Sequence, residues 1–461
     1  MGNITITEND TKRDIALAEK IAEKVRAAGG RVFFVGGCVR DKLLCGGELR
    51  GDIDIEVHGV EPSVLWDVLN EVGEPLQYGS SFGIYGLSGS ALDIAIPRKE
   101  HATGRGHRDF EVFTDPFIGP EAAARRRDFT VNALMEDVLT GEIVDPYGGR
   151  ADLEKRVLRC VDPESFVEDP LRVLRCARFA AVLGFTVDPA TVELCSGMDL
   201  TTLSKERVEG ELKKALMNSE KPSIFFEALR QMRQLSPWFA ELEQTIGLEQ
   251  DPEYHPEGDV WTHTMEVLDR AAGYRAKAEQ PYPFMMLALT HDLGKIASTE
   301  FVNGRIHAYG HEAAGLPIIE GFLRRLTEET ALISYVLNMA ELHMKPNMMA
   351  FSKSPVKSTN KMFDQAASAQ DLIYMAMADH PVKSGDTPFS GDAGFLFERL
   401  EKYRETMAQP YVMGRDLIEA GLKPGDQFGE LLDYAHKLRL AGIDKQTALK
   451  QVLAMARKKT E

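Results

Sequence analysis

Residues 50–59 read "RGDIDIEVHG", with Asp52, Asp54 and Glu56 alternating with Ile53, Ile55 and Val57. Side chains alternate across a strand, so this spacing predicts a strand with one apolar face and three carboxylates in a row on the other. Carboxylates held side by side repel one another unless a cation lies between them. The segment therefore demands a sheet buried on one side and predicts a cation site on its acidic edge.

Two neighbouring stretches extend that reading. "VGGCVRDKLL" (35–44) follows the apolar run "VFFV" (32–35) and sets Gly36, Gly37 and Arg40 at a strand end and the first turn of a helix. Glycines let backbone amides approach a phosphate, and a helix N-terminus with an arginine adds positive potential. In "SALDIAIPR" (90–98), Asp93 opposes Leu92, Ile94 and Ile96 and offers a third carboxylate, as a two-metal site needs. A phosphate cradle beside paired aspartates suggests a triphosphate bound with divalent metal.

Around these motifs, apolar spacing from Asp14 to Ala27 predicts a helix ending at the "GG" of 29–30, and 61–73 predicts another. "FGIYGL" and "ALDIAI" read as strands, and from Leu153 onward the pattern is helical nearly throughout, as in "LSKERVEGELKKALM" (203–217) with Ser204 as its cap. "QDPEYHPEGDV" (250–260) and "PVKSGDTPFSGDAG" (381–394) read as boundaries. The fold class is thus α+β, a small mixed-sheet head followed by an all-α body.

A net charge of −17 argues against indiscriminate polyanion binding, so a nucleic-acid partner must be held by local basic groups. No apolar run approaches a bilayer span, and "MGNITITEND" lacks the regions of a signal peptide. The five cysteines (Cys38, Cys45, Cys160, Cys176, Cys195) form no C-x-x-C and read as reduced thiols of a cytoplasmic protein.

The body carries a second constellation. His263, His291, Asp292, His311, His343 and Asp379 recur within "HPEGDVWTHTMEVLDRAA", "LALTHDLGK", "HAYGHEAAG", "ELHMKP" and "MAMADH". A lone buried histidine is ordinarily a satisfied core residue, but the adjacent His291–Asp292 pair inside an apolar helix is costly to bury unpaired and points to metal.

The ordered blocks "GG-C-V-R-D", "D-I-D", "RRRDFTVNAL" (125–134), "VDPYGGRADLEKRVLR" (144–159) and "EDPLRVLRCARFAAVLGF" (168–185) resemble the class II tRNA nucleotidyltransferases and the related bacterial poly(A) polymerases over residues 30–245. The resemblance implies a DNA polymerase beta-like head, with Asp52 and Asp54 as Mg²⁺ ligands and Asp93 as the third catalytic carboxylate. It implies that Gly36, Gly37 and Arg40 line the triphosphate and Arg127 touches the nucleotide. Glu168, Asp169, Arg172 and Arg175 would read the incoming base. The loop at 97–112 would help the switch from adding C to adding A. The second constellation is similar to the HD phosphohydrolase domain, which implies His263, His291, Asp292 and Asp379 as ligands of a divalent metal, with His311 and His343 available to a second metal or to phosphate.

The domains expected are a nucleotidyltransferase head (1–150), a neck of base- and RNA-binding helices (151–250), an HD domain (251–395) and a helical tail (396–461). The partners expected are the tRNA 3′ end with its acceptor arm, CTP and ATP, with no membrane. CCA addition with an HD phosphohydrolase activity leads. A-adding, CC-adding or poly(A)-adding variants, and a nucleotide-sensing head on an HD hydrolase, stand as alternatives.

Overall fold

A computed structural model describes residues 8–49, 51–78, 83–102, 110–380 and 390–458. Contacts divide the chain into two units, Met1–Glu211 with Ile224–Pro237, and Leu212–Ser223 with Trp238–Glu461.

The first unit opens with helix α1 (Glu8–Ala27), which buries Ala18, Ile21, Ala22 and Val25 on one stripe. Strand β1 (Arg31–Val35), helix α2 (Gly37–Cys45), β2 (Asp54–His58), helix α3 (Pro62–Val72), β3 (Pro75–Gln77), β4 (Ile84–Leu87) and β5 (Asp93–Ala95) follow. Next come β6 (Arg98–Ala102), β7 (Phe110–Thr114), β8 (Met135–Asp137) and β9 (Ile143–Val144). Seven of these strands form one mixed sheet in the order β3-β4-β5-β2-β1-β8-β9, in which β2 and β5 are parallel. Strands β6 and β7 pair apart from it as an antiparallel ribbon, whose connecting residues 103–109 lie outside the described residues.

The alternation at 53–57 performs as expected on its apolar side, where Ile53, Ile55 and Val57 are buried. Each such side chain contributes about 1.5–3 kcal/mol on leaving water. The acidic side differs: the strand begins at Asp54, and Asp52 lies exposed in the bend before it. Gly51, at φ +74°, turns the chain there and takes Asp52 off the pleat.

Beyond the sheet, the first unit is largely helical, with Leu171–Leu183 following short helices; Ser204 stands just before helix Lys205–Asn218, whose residues from Leu212 onward belong to the second unit. Among the described residues the second unit is helical apart from one ribbon, Glu300–Val302 against Arg305–His307. That ribbon departs from the all-helical expectation. Asn303 and Gly304 both take positive φ, the Asn-Gly signature of a tight hairpin. The last helices, Gln427–Leu440 and Lys445–Lys458, enclose a small core of Leu417, Leu431, Ala435, Ala448 and Val452. Most of 381–394 lies outside the described residues.

Candidate functional site

In the first unit, the parallel pairing of β2 with β5 sets Asp54 directly opposite Asp93. Burial, then Asp93 and Asp52, push the Asp54 carboxyl up to about 6 against the pull of Arg127, and burial with Asp52 raises Asp93 as well. Carboxyls crowded to that degree suit a site that receives positive charge. Gly36 sits at φ +73° at the start of α2, and a Cβ there would lie 3.6 Å from an Arg127 nitrogen and 3.8 Å from Asp54 Oδ2. The glycine turn, the arginine and the acid thus share one spot, and the first turn of α2 presents its amides there.

Glu56, the third acid of the row, is buried and taken up by protein partners. Its oxygens accept from Arg127 at 3.3 Å and meet His58 Nε2 at 2.8 Å. It holds Arg127 beside Asp54 and leaves Asp52, Asp54 and Asp93 as the acids available to cations.

Arg40 is buried and donates to Asn132 Oδ1 at 2.7 Å and to Asp41. Asn132 in turn donates to Asp128 Oδ1 at 3.0 Å, and Asp128 Oδ2 accepts two bonds from Arg175, at 2.8 and 2.6 Å. Arg172 donates to the carbonyls of Ser165 and Arg126. Asp169 accepts two bonds from Arg207 and caps the Leu171 amide, while Glu168 is exposed. The ring of Phe179 lies under the guanidiniums of Arg40, Arg175 and Arg178 at 3.8–5.5 Å. Of the base-reading candidates, Asp169, Arg172 and Arg175 are therefore each tied to neighbours. Asp128 and Asn132, which take part in that holding, lie inside the 125–134 block without being singled out by it, and Arg207 carries no spacing signal of its own.

Burial works against the Asp128 charge, yet Arg175, Asn132 and the Phe129 amide keep its pKa below the usual carboxylate range. Its contribution is present above about pH 4 and is lost as pH falls through the lowered folded value. Asp128→Asn is expected to cost about 2–3 kcal/mol at pH 7, less than the 3–5 of a wholly buried pair, because a third of Arg175 reaches solvent. Denaturant melts at pH 7 and pH 3 check this: the gap from wild type should shrink at the lower pH.

In the second unit, five segments converge on Asp292. His263 lies in the first turns of Val260–Ala272, His311 opens His311–Ala314, His343 follows Thr330–Leu342, and Asp379 ends Ala369–Asp379. His291 and Asp292 stand just past helix Pro281–Thr290, in a turn rather than inside the helix as expected. Gly294 lets the His311 segment pack against that turn, since a Cβ there would come within 1.9 Å of the His311 carbonyl oxygen.

His263 Nε2 is 3.0 Å from Asp379 Oδ1 and 3.5 Å from Asp292 Oδ2. His291 Nε2 is 3.4 Å from Asp292 Oδ2 and 3.5 Å from Asp379 Oδ1. On the other side, Asp292 Oδ1 faces His311 Nε2 at 3.2 Å and His343 Nε2 at 3.9 Å. The Nδ1 atoms of His291, His311 and His343 each meet a backbone carbonyl oxygen, which leaves their Nε2 atoms turned inward. Among the described residues, buried His291 Nε2 and Asp292 Oδ2 find no hydrogen-bond partner, and Lys295 Nζ stands 2.7 Å from Asp292 Oδ2 as an ion pair.

Protons balance the charge there: burial opposes it, but Asp292 and Asp379 raise His291 to about 10. Burial and His291 push His343 down to about 4, so its ring is neutral. Despite burial, Lys295 and His291 hold Asp292 well below the carboxylate range, as His263 and His291 do Asp379. Imidazoles aimed at a shared carboxylate, with orphaned ligand atoms between them, fit a divalent metal on each side of Asp292. Sequence spacing finds the six ligand types and misses Glu257 and Lys295, which contact them, and Gln250, which contacts Lys295.

Residues 32–159 match the Poly A polymerase head domain. The multifunctional CCA protein of Stenotrophomonas maltophilia (strain K279a) is 43% identical over 272 residues, 58% of this chain and 64% of that protein. That of Alkalilimnicola ehrlichii is 33% identical over 428 residues, 90% of this chain and 98% of that protein. Among solved structures, the Thermotoga maritima CCA-adding enzyme complexed with tRNA matches 98% of this chain and 97% of its own at 20% identity, with a TM-score of 0.63, a likeness of fold.

Proposed function

The chain belongs to the multifunctional CCA protein family, and from the geometry above we propose that it adds C, C and A in turn to tRNA 3′ ends from CTP and ATP without a template. The observation that carries this reading is the Asp54–Asp93 pair set across two parallel strands beneath the Gly36 turn and Arg127. Asp52, Asp54 and Asp93 would hold two Mg²⁺, which when bound lower the pKa of the attacking hydroxyl and neutralise the leaving pyrophosphate.

The tRNA 3′-hydroxyl attacks the α-phosphorus in line, its oxygen forms the new ester bond, and the bond to pyrophosphate breaks. The chain's own part is positioning and charge. The α2 amides and Gly37 receive the triphosphate, and Arg127, braced by Glu56, faces it. Arg40, held by Asn132, would line the triphosphate beside Gly37. Glu168, Asp169, Arg172 and Arg175 would read the base, and the bonds of the last three to Arg207, Asp128 and backbone carbonyls would keep that edge rigid enough to stand in for a template.

Single-nucleotide incorporation with each of the four triphosphates tests this. Arg172→Ala should relax the preference for CTP and ATP by about 10–100-fold, the worth of a charged hydrogen bond. Unchanged selectivity would contradict reading by protein groups.

The body would hold a second, phosphohydrolase site. His263, His291, Asp292 and Asp379 would bind one divalent metal, and Asp292 with His311 and His343 another. Bound there, metal supplies a water nucleophile at neutral pH and polarises a phosphoryl oxygen. Lys295 holds Asp292 by charge, and the carbonyls behind three of the histidines fix their tautomers. Phosphate-bearing nucleotide or RNA ends are the substrate class. Among the described residues no helix is long and apolar enough to cross a membrane. The five free cysteines support the cytoplasm as its compartment.

A further inference from the structure

The loop at 250–260 reaches the histidine–aspartate cluster at two points. Gln250 Oε1 accepts from Lys295 Nζ at 2.7 Å, and Lys295 stands against Asp292. Glu257 Oε1 lies 2.6 Å from His263 Nδ1 and 2.9 Å from His255 Nδ1. Asp259 pins the end of the loop, accepting from the amides of Thr262 and Gly247. The Glu257 side chain is only 9% exposed, so its carboxylate is held in place rather than solvated.

This sets His263 apart from its companions. His291, His311 and His343 each turn Nδ1 to the carbonyl three residues earlier, at Ala288, Ala308 and Ala340. Behind His263 stands a buried carboxylate at hydrogen-bond distance instead of an amide dipole, whereas the Glu312 carboxylate near His311 Nδ1 lies 3.7 Å away and partly exposed. An anionic acceptor fixes the ring and adds electron density at the opposite nitrogen, which makes the imidazole a stronger ligand. That nitrogen, Nε2, is the atom turned to Asp379 and Asp292.

We propose that Glu257 is a positioning residue for metal, acting through His263, and that it makes the His263–His291–Asp292–Asp379 position the tighter of the two. The inference rests on reading the cluster as a metal site. It also gives the "HPEG" stretch (255–258) a task beyond connecting helices.

The test is calorimetric titration of the metal-stripped full chain with cobalt(II), with the visible absorption of the bound metal followed alongside. With magnesium in excess to occupy the head carboxylates, wild type should show two cobalt binding steps, both in the body. E257Q should weaken the tighter step about 10–100-fold, shift its absorption band, and leave the weaker step within about twofold. The glutamine carbonyl accepts the same hydrogen bond without the charge, so a merely structural role leaves both steps unchanged, and that result would overturn the inference. Wild type that takes up no cobalt would overturn the reading of the cluster itself. Melting of metal-free E257Q alongside wild type separates either outcome from misfolding.

Discussion

Asp54→Ala loses nucleotide addition by about three orders of magnitude or more, equivalent to roughly 4 kcal/mol of transition-state stabilisation. Asp54 is the member of the acidic group that faces both Asp93 and Arg127, and Glu56, its neighbour on the strand, is committed to His58 and Arg127 and cannot replace it. The loss is not one of folding. A carboxyl raised to about 6 in the folded chain is a burden once ionised, because its folded pKa lies above its unfolded one. The metal-free variant should therefore melt no lower than wild type at pH 8. Primer extension on a tRNA transcript, with cobalt(II) uptake by the body measured in parallel, should show the first abolished and the second intact.

Asp292→Ala gives the opposite pattern. Its two oxygens face separate histidine pairs, Oδ2 toward His263 and His291 and Oδ1 toward His311 and His343. One substitution should thus weaken both metal steps by more than about 100-fold and remove any phosphohydrolase activity. Lys295 keeps Gln250 as an acceptor, so the variant retains a partner for its buried ammonium. Because metal must displace the proton that His291 carries up to about pH 10, wild-type uptake should also weaken as pH falls. Nucleotide addition should survive. Equal loss of both activities in either variant would contradict two separate sites.

What the sequence discloses follows from local periodicity. The alternation at 53–57, the helical stripe of α1 and the order of the glycine, DxD and arginine blocks are visible because neighbours along the chain dictate them. Relations between distant segments are not. Asp128 and Asn132 join Arg40 to Arg175, Arg207 reaches back to Asp169, and Glu257 turns back to meet His263 from within the 250–260 loop. Read alone, that loop has the composition of a linker. The hairpin at 300–307 is a different omission, since Asn303–Gly304 between short β-prone runs is a turn signal that helical expectations on either side obscure. The arginines of 172–178 are legible as a cluster, while their use as rigid supports depends on the carbonyls and carboxylates around them.

The most direct measurement is extension of a tRNA transcript ending at the discriminator base, with CTP and ATP supplied separately and together with magnesium, resolved to single nucleotides. The account expects two residues with CTP alone and a product that stops at CCA with both. Arrest at CC with both nucleotides, a long A tail with ATP, or no addition to any end would contradict it.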